Sequence, residues 1–306
     1  MRNIVLLSAF NGRDHIEEQL TSILNQLPSD GLLLIRDDGS SDGTPELIET
    51  IKDARIVLVR GANIGFCQSF FALVDAAPDE NAAYFFADQD DIWLPDKLAR
   101  ASQHLAMYQQ QMFLYCSRAH LVDEALRPLG MTPLFQKAKT LRHALTENIA
   151  TGCTVAFNQP LLQALKQTEA RDFIAFHDWW AYVMATTFGS VHFDPTPTVL
   201  YRQHAKNAIG MKSGIGRYIS IVRYLRRNNW LRIMNRQIWA LRQNHWHQLA
   251  SIHQQEMSAL QSRSGRVRRM AIITSVKSMR TGVLSDILLR ALTLLDLRPT
   301  KIERDR

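Results

Sequence analysis

The chain has 306 residues, a formal net charge of +7 and 46% hydrophobic residues, enough for one large domain or for a domain with an appendage. Its three cysteines, Cys67, Cys116 and Cys153, are far apart and form no CxxC pair. This argues against a disulfide scaffold or a structural zinc site and is typical of a reducing compartment. The apolar run at residues 4–7 is too short for a signal peptide, and no stretch of about 18 residues is continuously apolar. We therefore expect a cytoplasmic protein without a transmembrane helix.

The charge is unevenly distributed along the chain. Residues 211–306 contain 19 Lys and Arg against 5 Asp and Glu, a formal charge of +14, whereas residues 1–210 contain 17 against 24, a formal charge of −7. A change of this size predicts a domain boundary between residues 210 and 216. We expect a slightly acidic domain, 1–210, followed by a basic helical C-terminal extension, 211–306.

The first hundred residues alternate between short apolar runs and amphipathic segments. We predict four strands, at residues 4–7, 32–35, 56–59 and 83–87. We predict three helices between them, at residues 13–27, 45–52 and 66–75. This alternation favours a mostly parallel sheet flanked by helices, so the predicted fold class is α/β. In such sheets ligands bind beyond the carboxyl ends of the strands.

Three carboxylates follow the fourth predicted strand within four residues, and they form the most informative stretch of the chain: Asp88, Asp90 and Asp91. The backbone turns at the strand end, so the side chains of Asp88 and Asp90 can point towards one spot. Converging carboxylates repel each other and need a cation, usually Mg²⁺ or Mn²⁺. A solvated acidic turn is the alternative, but the apolar residues on both sides favour a site.

Polar residues also follow the other three predicted strands. They are Ser8–Asn11 after the first strand, Asp37 and Asp38 after the second, and Asn63–Gly65 after the third. Each group alone is an ordinary turn or helix cap, but together the four groups would lie along one edge of one sheet. No GxGxxG or P-loop sequence is present, which argues against a dinucleotide-binding fold and a P-loop NTPase.

Taken in order, the four groups resemble the successive motifs of family 2 glycosyltransferases with the Rossmann-like GT-A fold. The motifs are Ser8-Ala9-Phe10-Asn11, Arg36–Thr44, Gly61–Gly65 and Asp88-Gln89-Asp90-Asp91. The match covers about residues 1–210, with 1–100 as the nucleotide-sugar half and 101–210 as the acceptor half. The resemblance implies an inverting transferase that uses a nucleotide-diphosphate sugar and a divalent metal ion. The sequence of residues 87–93, Ala-Asp-Gln-Asp-Asp-Ile-Trp, resembles the bacterial rhamnosyltransferase branch, which uses dTDP-rhamnose in surface polysaccharide synthesis.

The resemblance also implies roles for individual residues. Asp88 and Asp90 would be metal ligands, with Asp90 the more direct one, and His204 would return to the metal or the diphosphate. An ordinary surface histidine is the alternative for His204. Arg202 or Lys206 would pair with phosphate oxygens. The residues that would hold the donor nucleotide are Ser8, Phe10, Asn11, Asp37, Asp38, Asn63, Gly65, Asp88 and Gln89.

One role remains, a general base that takes the proton of the acceptor hydroxyl. Asp178 begins an apolar helix, where the family places an acidic residue, and no other carboxylate lies between Asp172 and Asp194. We therefore predict Asp178 as the catalytic base, with a helix N-cap as the alternative.

Residues close to Asp178 in the sequence, or on the small-residue loop before it, would form the acceptor and sugar site. They are Gly152, Cys153, His177, Trp179 and Trp180. Small residues permit the close approach of a ligand, and tryptophan rings stack on sugar C–H groups. A plain loop-to-strand turn is the alternative for Gly152 and Cys153, and packing in the core is the alternative for Trp180. His177 could be a packed histidine or a neighbour that tunes Asp178.

The basic extension has apolar residues at helical spacing between its arginines, among them Leu231, Met234, Ile238 and Leu241, and we predict a second helix at 283–297. Two interpretations remain open. The extension packs on the catalytic domain as a helical cap, or residues 217–300 dock on an anionic membrane surface. Docking on the inner face of the cytoplasmic membrane would suit a lipid-linked saccharide acceptor.

Two other function classes compete with sugar transfer. The basic tail and its tryptophans are compatible with nucleic-acid binding. The acidic first domain and the lack of a nucleic-acid motif argue against it, so we expect no nucleic-acid partner. A sugar nucleotidyltransferase also places metal-binding carboxylates on an α/β sheet. Residues 8–13, however, lack the glycine-rich, lysine-containing signature expected of that class.

Overall fold

The computed structural model describes residues 1–135, 140–169, 171–203 and 230–251, together with 253, 254, 257, 280, 286, 287, 290 and 291. The strands of the described part are β1 (Arg2–Ala9), β2 (Leu32–Asp37), β3 (Ile56–Arg60), β4 (Ala82–Asp88), β5 (Ile92–Trp93), β6 (Phe113–Val122), β7 (Pro128–Met131), β8 (Ala156–Asn158) and β9 (Ser190–Arg202). Its helices are α1 (Ile16–Leu24), α2 (Thr44–Thr50), α3 (Phe66–Ala76), α4 (Lys97–Ala106), α5 (Leu141–Thr146), α6 (Gln159–Lys166), α7 (His177–Phe188) and α8 (Trp230–His245). Short 3₁₀ turns lie at Gly152–Thr154, Arg171–Phe173 and Trp246–Gln248.

The strands form one sheet in the order β3-β2-β1-β4-β8-β6-β9-β5, with β7 paired to β6. Strands β1 to β4 pair in parallel, as the alternation of strands and helices predicts. In this register Ser8 lies between Arg36 of β2 and Asp88 of β4. The carboxyl ends of these three strands are therefore level, and the loops that follow them open at one edge.

The second half of the sheet is mixed. Strand β8 runs antiparallel between β4 and β6, and β9 runs parallel to β6. Strand β5 follows the acidic turn and pairs antiparallel with β9, with Ile92 opposite Leu200. The acidic turn thus lies between the end of β4 and the end of β9.

The core forms two apolar layers, one on each face of the sheet. Helix α1 covers one face with Ile16, Leu20 and Ile23, at the spacing of an amphipathic helix. Helices α3, α6 and α7 cover the other face. Helix α7 is buried around its whole circumference over residues 179–185, as expected of a helix between other layers.

Helix α8 of the basic extension packs on the catalytic domain. Met234, Ile238 and Leu241 are fully buried in the same apolar layer as α7. The ring of Trp239 lies 4.2 Å from that of Phe173. The packing interpretation is confirmed for α8, whereas most of the helix predicted at 283–297 lies outside the described residues. Among the described residues, no helix has the length and apolar character needed to cross a bilayer.

Candidate active site

The loop after β1 exposes one aromatic ring, and its other polar groups form hydrogen bonds with neighbouring loops. The ring of Phe10 is 44% exposed at the cleft. The side-chain amide of Gln89 accepts from the Phe10 N–H at 2.6 Å and donates to the Phe10 carbonyl at 2.9 Å. It thus satisfies both backbone groups of Phe10, as a neighbouring β-strand would. Asn11, at φ +49°, accepts from the Ser41 N–H at 2.9 Å. Phe10 is therefore placed to stack on a ring, whereas Gln89 and Asn11 hold loops together.

Asp37 and Asp38, at the end of β2, are both buried but differ in their contacts. Asp38 forms an ion pair with Arg36 and accepts from the backbone N–H groups of Ile64 (3.0 Å) and Gly65 (2.9 Å). Asp37 accepts through Oδ2 from the turn that follows it. Its Oδ1 has no hydrogen-bond partner within the described part of the chain. Asp38 thus fixes the loop after β3, whereas Asp37 has one buried oxygen atom without such a partner.

Ser8, Asn63 and Gly65 shape the floor of the cleft through contacts with the protein. The Ser8 hydroxyl lies 2.7 Å from that of Ser69 on α3. Asn63 accepts from the Gly65 N–H at 3.1 Å. Gly65 has φ +83°, a left-handed conformation that favours glycine. This conformation aims its N–H at both Asn63 and Asp38.

The acidic turn concentrates negative charge at the same edge of the sheet. Burial, and then the charges of Asp90 and Asp178, raise the pKa of Asp88 to about 7. Asp91 is fully buried, and its Oδ1 accepts from the Arg202 backbone N–H at 3.2 Å. The ligand atoms of Asp88, Asp91 and Cys153 lie within 4.8 Å of one another. Carboxylates held this close favour a bound cation.

Lys97 lies behind this turn and was missed by sequence reasoning. It is fully buried, and its Nζ donates to the Cys153 carbonyl at 2.8 Å and lies 4.6 Å from the centre of the Trp93 ring. Burial lowers the pKa of Lys97 to about 8, against the attraction of the thiol of Cys153 and the carboxylate of Asp91. The only feature of the sequence that could have indicated a buried Lys97 is its pair of apolar neighbours, Leu94 and Leu98. Exposed lysines at the start of helices often have such neighbours too.

The structure contradicts the predicted phosphate-binding role of Arg202. Its side chain is 2% exposed and donates to the Asp90 carbonyl (2.9 Å), the Glu124 carbonyl (2.6 Å) and Glu18 (2.7 Å). Because all three of its guanidinium nitrogens donate to the protein, Arg202 holds the acidic turn in place and does not present its guanidinium group to a phosphate. His204 and Lys206, the other predicted residues of this segment, lie outside the described residues.

Asp178, in the first turn of α7, faces the same cleft from the other side. Its Oδ2 accepts from Asn148 Nδ2 at 3.1 Å, and its Oδ1 accepts from the Trp179 N–H at 2.6 Å. Burial raises the pKa of Asp178 to about 6, although these hydrogen bonds and the Gly152 N–H favour the charged form. The charge of Asp178 contributes to the raised pKa of Asp88, so the two carboxylates lie near each other. Sequence reasoning placed Asn148 in a loop but did not identify its bond to Asp178.

His177 and Gly152 border the carboxylate of Asp178. The His177 ring is 6% exposed, stacks on Phe70 at 3.7 Å and meets Phe86 edge-on at 4.7 Å. Burial lowers the pKa of His177 to about 3, so the ring is neutral, and neither ring nitrogen has a hydrogen-bond partner among the described residues. A Cβ on Gly152 would lie 3.5 Å from both His177 Nε2 and Asp178 Oδ2. Glycine therefore keeps the space beside Asp178 clear.

The structure contradicts the predicted sugar-stacking role of Trp179 and Trp180. Trp180 is fully buried, and its ring N–H donates to the Thr168 hydroxyl at 3.0 Å. Trp179 is 5% exposed, and its ring N–H donates to the Ala144 carbonyl at 2.5 Å. Cys153 is also fully buried. The two tryptophans are part of the core because α7 is enclosed on all sides, whereas Cys153 lies in a 3₁₀ turn and is buried in the other apolar layer.

Comparisons with known proteins agree with this arrangement. The family model described as "Glycosyl transferase family 2" matches residues 4–166, more than half of the chain. The chain is 31% identical over 223 residues to dTDP-rhamnosyl transferase RfbG of Shigella flexneri, a match that covers 67% of this chain and 73% of that protein. It is 28% identical over 97 residues to the UDP-Glc:alpha-D-GlcNAc-diphosphoundecaprenol beta-1,3-glucosyltransferase WfaP of Escherichia coli, covering 31% and 38%.

Solved structures show the same fold at low sequence identity. S. aureus TarS 1–349 in complex with UDP superposes with a TM-score of 0.55 at 13% identity, covering 90% of this chain and 76% of that one. Its complex with UDP-GlcNAc gives 0.55 at 15% identity, covering 96% and 90%. The predicted family and the predicted GT-A fold are both confirmed. This chain belongs to glycosyltransferase family 2.

Proposed function

We propose that this enzyme transfers a sugar from a nucleotide-diphosphate donor to an acceptor hydroxyl with inversion, and that Asp178 is the general base. One observation carries the proposal: Asp178 is held by Asn148 and Trp179 in the cleft of Asp88, beside the space that Gly152 leaves open. A pKa near 6 keeps a carboxylate charged at neutral pH yet basic enough to accept a proton.

In the proposed in-line displacement, the residues of the cleft have separate roles. Phe10 would stack on the nucleobase, and the unpaired Oδ1 of Asp37 would accept from the base or the ribose. Asp178 would take the proton of the acceptor hydroxyl on the sugar face opposite the leaving diphosphate. A single displacement of this kind inverts the anomeric centre.

The donor atoms of the acidic turn fit a divalent cation, since Mg²⁺ and Mn²⁺ prefer carboxylate oxygens. Asp88 and Asp90 would hold it. Asp91 and Cys153 are less suited, because Lys97 Nζ is bound to the Cys153 carbonyl and its positive charge acts on both of their side chains. When bound, the cation offsets the charge that develops on the diphosphate leaving group.

We propose dTDP-rhamnose as the donor and a saccharide or lipid-linked saccharide of bacterial surface polysaccharide synthesis as the acceptor. The similarity to RfbG and the sequence of residues 87–93 support the donor. The similarity to WfaP, whose name gives a diphosphoundecaprenol acceptor, supports a lipid-linked acceptor. Such an acceptor would place the enzyme at the inner face of the cytoplasmic membrane.

A donor screen tests this proposal. Thermal shift with Mn²⁺ should select dTDP-rhamnose over UDP and GDP sugars. Asp90→Ala should abolish the metal-dependent shift, and Asp178→Asn should keep donor binding but lose transfer. Release of pyrophosphate from a nucleoside triphosphate and a sugar phosphate would instead assign a nucleotidyltransferase.

Membrane docking through residues 217–300 is tested separately. Co-sedimentation with vesicles of anionic lipid should be strong at low salt and weaker at about 0.5 M salt, since surface charges are then screened. Equal binding to neutral and anionic vesicles would contradict an electrostatic attachment. No binding at physiological salt would leave the extension as a helical cap alone.

A further inference from the structure

The basic extension reaches the catalytic domain through a buried ion pair. Arg280 Nη2 lies 3.0 Å from Glu147 Oε1, and the two residues are 8% and 4% exposed. Asp286 accepts from the Arg280 N–H at 3.0 Å and pairs with Arg290 at 2.9 Å, which fixes the backbone that carries Arg280. The pair therefore joins segments 133 residues apart in the chain.

Glu147 is followed directly by the residue that holds Asp178. Asn148 donates through Nδ2 to Asp178 Oδ2 at 3.1 Å, and its Oδ1 accepts from the Ala150 N–H at 3.0 Å. The bond from Ala150 fixes which way the amide points, because a flipped amide would face that N–H with its own NH₂ group. The orientation of Asn148 thus depends on the backbone at residues 147–150.

The ion pair attaches the backbone at the end of helix α5, directly before Asn148. Helix α5 ends at Thr146, and Glu147 has an extended backbone at φ −151° and ψ 124°. Its carboxylate leaves the helix end and is buried against Arg280. Removing one partner of a buried pair leaves the other charge without compensation, which forces a local rearrangement.

We propose that Arg280 is a positioning residue for the catalytic base: through Glu147 it fixes Asn148, and Asn148 orients the carboxylate of Asp178. The C-terminal extension would then complete the active site from outside the catalytic domain. The inference rests on the proposed function, in which Asp178 is the base.

The test compares Arg280→Gln with Arg100→Gln, a control that breaks the ion pair between α4 and Asp194, a residue 3% exposed. Because a misplaced base slows chemistry but not binding, kcat of Arg280→Gln should fall roughly 10- to 100-fold with an unchanged KM for the donor. Arg100→Gln should keep the kcat of the folded enzyme. Equal kcat in both variants would overturn the proposal.

The pH–rate profile gives a readout that a loss of stability would not move. The Asn148 bond lowers the pKa of Asp178, so its loss in Arg280→Gln should shift the acid limb to higher pH. Within the described part of the chain, the titratable groups near Asp178 are Asp88 of β4, Cys67 of α3 and His177 of α7, and all are unchanged in this variant. An unshifted limb would contradict the proposal.

A double-mutant cycle shows whether Arg280 acts through Asn148. If it does, Arg280→Gln combined with Asn148→Ala should lose no more kcat than Asn148→Ala alone, whereas independent effects would multiply. Should Arg280→Gln fail to fold, Arg280→Lys and Asn148→Ala carry the same comparison, with partial retention of kcat expected for lysine. Full activity of Asp178→Asn would remove the proposed function itself. If Asp178→Asn is inactive but Arg280→Gln keeps the wild-type kcat, only this inference is overturned and the proposed function stands.

Discussion

Aspartates at the ends of strands and helices have different functions in this cleft because their surroundings differ. Asp38 is saturated by Arg36 and by backbone N–H groups, so it is a structural brace. Asp178 is held by weaker, neutral donors in a buried position, which leaves it basic. A carboxylate can act as a base only where the protein stabilises its charge incompletely.

The pKa of Asp178 predicts a pH dependence. The base works only when deprotonated, so kcat should be constant above about pH 7. It should fall about tenfold per unit as the pH drops below about 6, where Asp178 becomes protonated. The measurement is a pH–rate profile at saturating donor, acceptor and metal. Donor affinity measured over the same range by calorimetry is the control, and constant kcat down to pH 5 would contradict this assignment.

Gly152 predicts a difference between two glycine substitutions. In Gly152→Ala the new methyl group meets only ordinary contacts, 3.5 Å from Asp178 Oδ2 and His177 Nε2, so stability should change little while kcat falls at least tenfold by crowding the base. In Gly65→Ala nothing lies within 4 Å, but φ is +83°, so the free energy of unfolding should drop by about 1–2 kcal/mol. Urea unfolding and steady-state kinetics on both variants separate the two effects, and a reversed order would refute them.

Residue types at the site could be read from the sequence, but their contacts could not. Asp88, Asp178 and Phe10 lie in one cleft because each follows or begins an element that the periodicity predicts. Arg202 and Trp179 were predicted from the same kind of motif, yet the side-chain donors of both are hydrogen-bonded to other parts of the protein. A single sequence does not show which acceptor a side-chain donor will bind. Here two of those acceptors, the carbonyl groups of Glu124 and Ala144, come from distant segments of the chain.

At the scale of elements, the acidic turn is held from below by α4 and from the side by β9. Lys97 opens α4 and reaches the Cys153 carbonyl, and Arg202 ends β9 and reaches the Asp90 carbonyl. Both cations are buried. In the proposed function the carboxylates of the acidic turn would attract a divalent ion from the cleft.

Removing the charge of Lys97 should therefore destabilise the protein. Lys97→Met loses the hydrogen bond to the buried Cys153 carbonyl, so the free energy of unfolding should fall by about 1–3 kcal/mol. Lys52→Met, at an exposed lysine, is the control and should change it by less than about 0.5 kcal/mol. Urea unfolding at pH 7 measures both, and similar values for the two variants would show that Lys97 is dispensable.

The first four strands and three helices were predicted within a few residues, because each apolar run is bounded by turn residues. The insertion of β8 between β4 and β6 was not predicted, and neither was the long strand β9, which continues through Pro195 and Pro197. Strand order in a mixed sheet depends on which distant edges pair, and apolar patterning carries no information about partners.

At the scale of the whole molecule, helix α8 of the basic extension shares an apolar layer with the catalytic domain. Its buried residues belong to the apolar layer that also contains α7, which carries Asp178. The extension therefore contributes to the stability of the active site even where it contacts no substrate.

Leu241→Ala tests this integration. A fully buried leucine in the shared layer should cost about 2–5 kcal/mol, and unfolding should remain a single transition. Arg242→Ala, at the exposed neighbour, should cost less than about 1 kcal/mol. Denaturant unfolding followed by tryptophan fluorescence and by circular dichroism gives the result. Two separate transitions, with only the first affected, would show that the extension folds independently.

The insertion of β8 beside β4 has a consequence for biosynthesis. Strand β4 delivers Asp88, but the neighbour on its second edge ends about 70 residues later in the chain. Ribosomes add about 5–20 residues per second, so a nascent β4 waits roughly 4–14 s with an apolar, unpaired edge. Translation speed and chaperone access in that interval are therefore expected to govern the yield of active enzyme, and a gene fragment that stops before residue 158 is expected to give aggregated product.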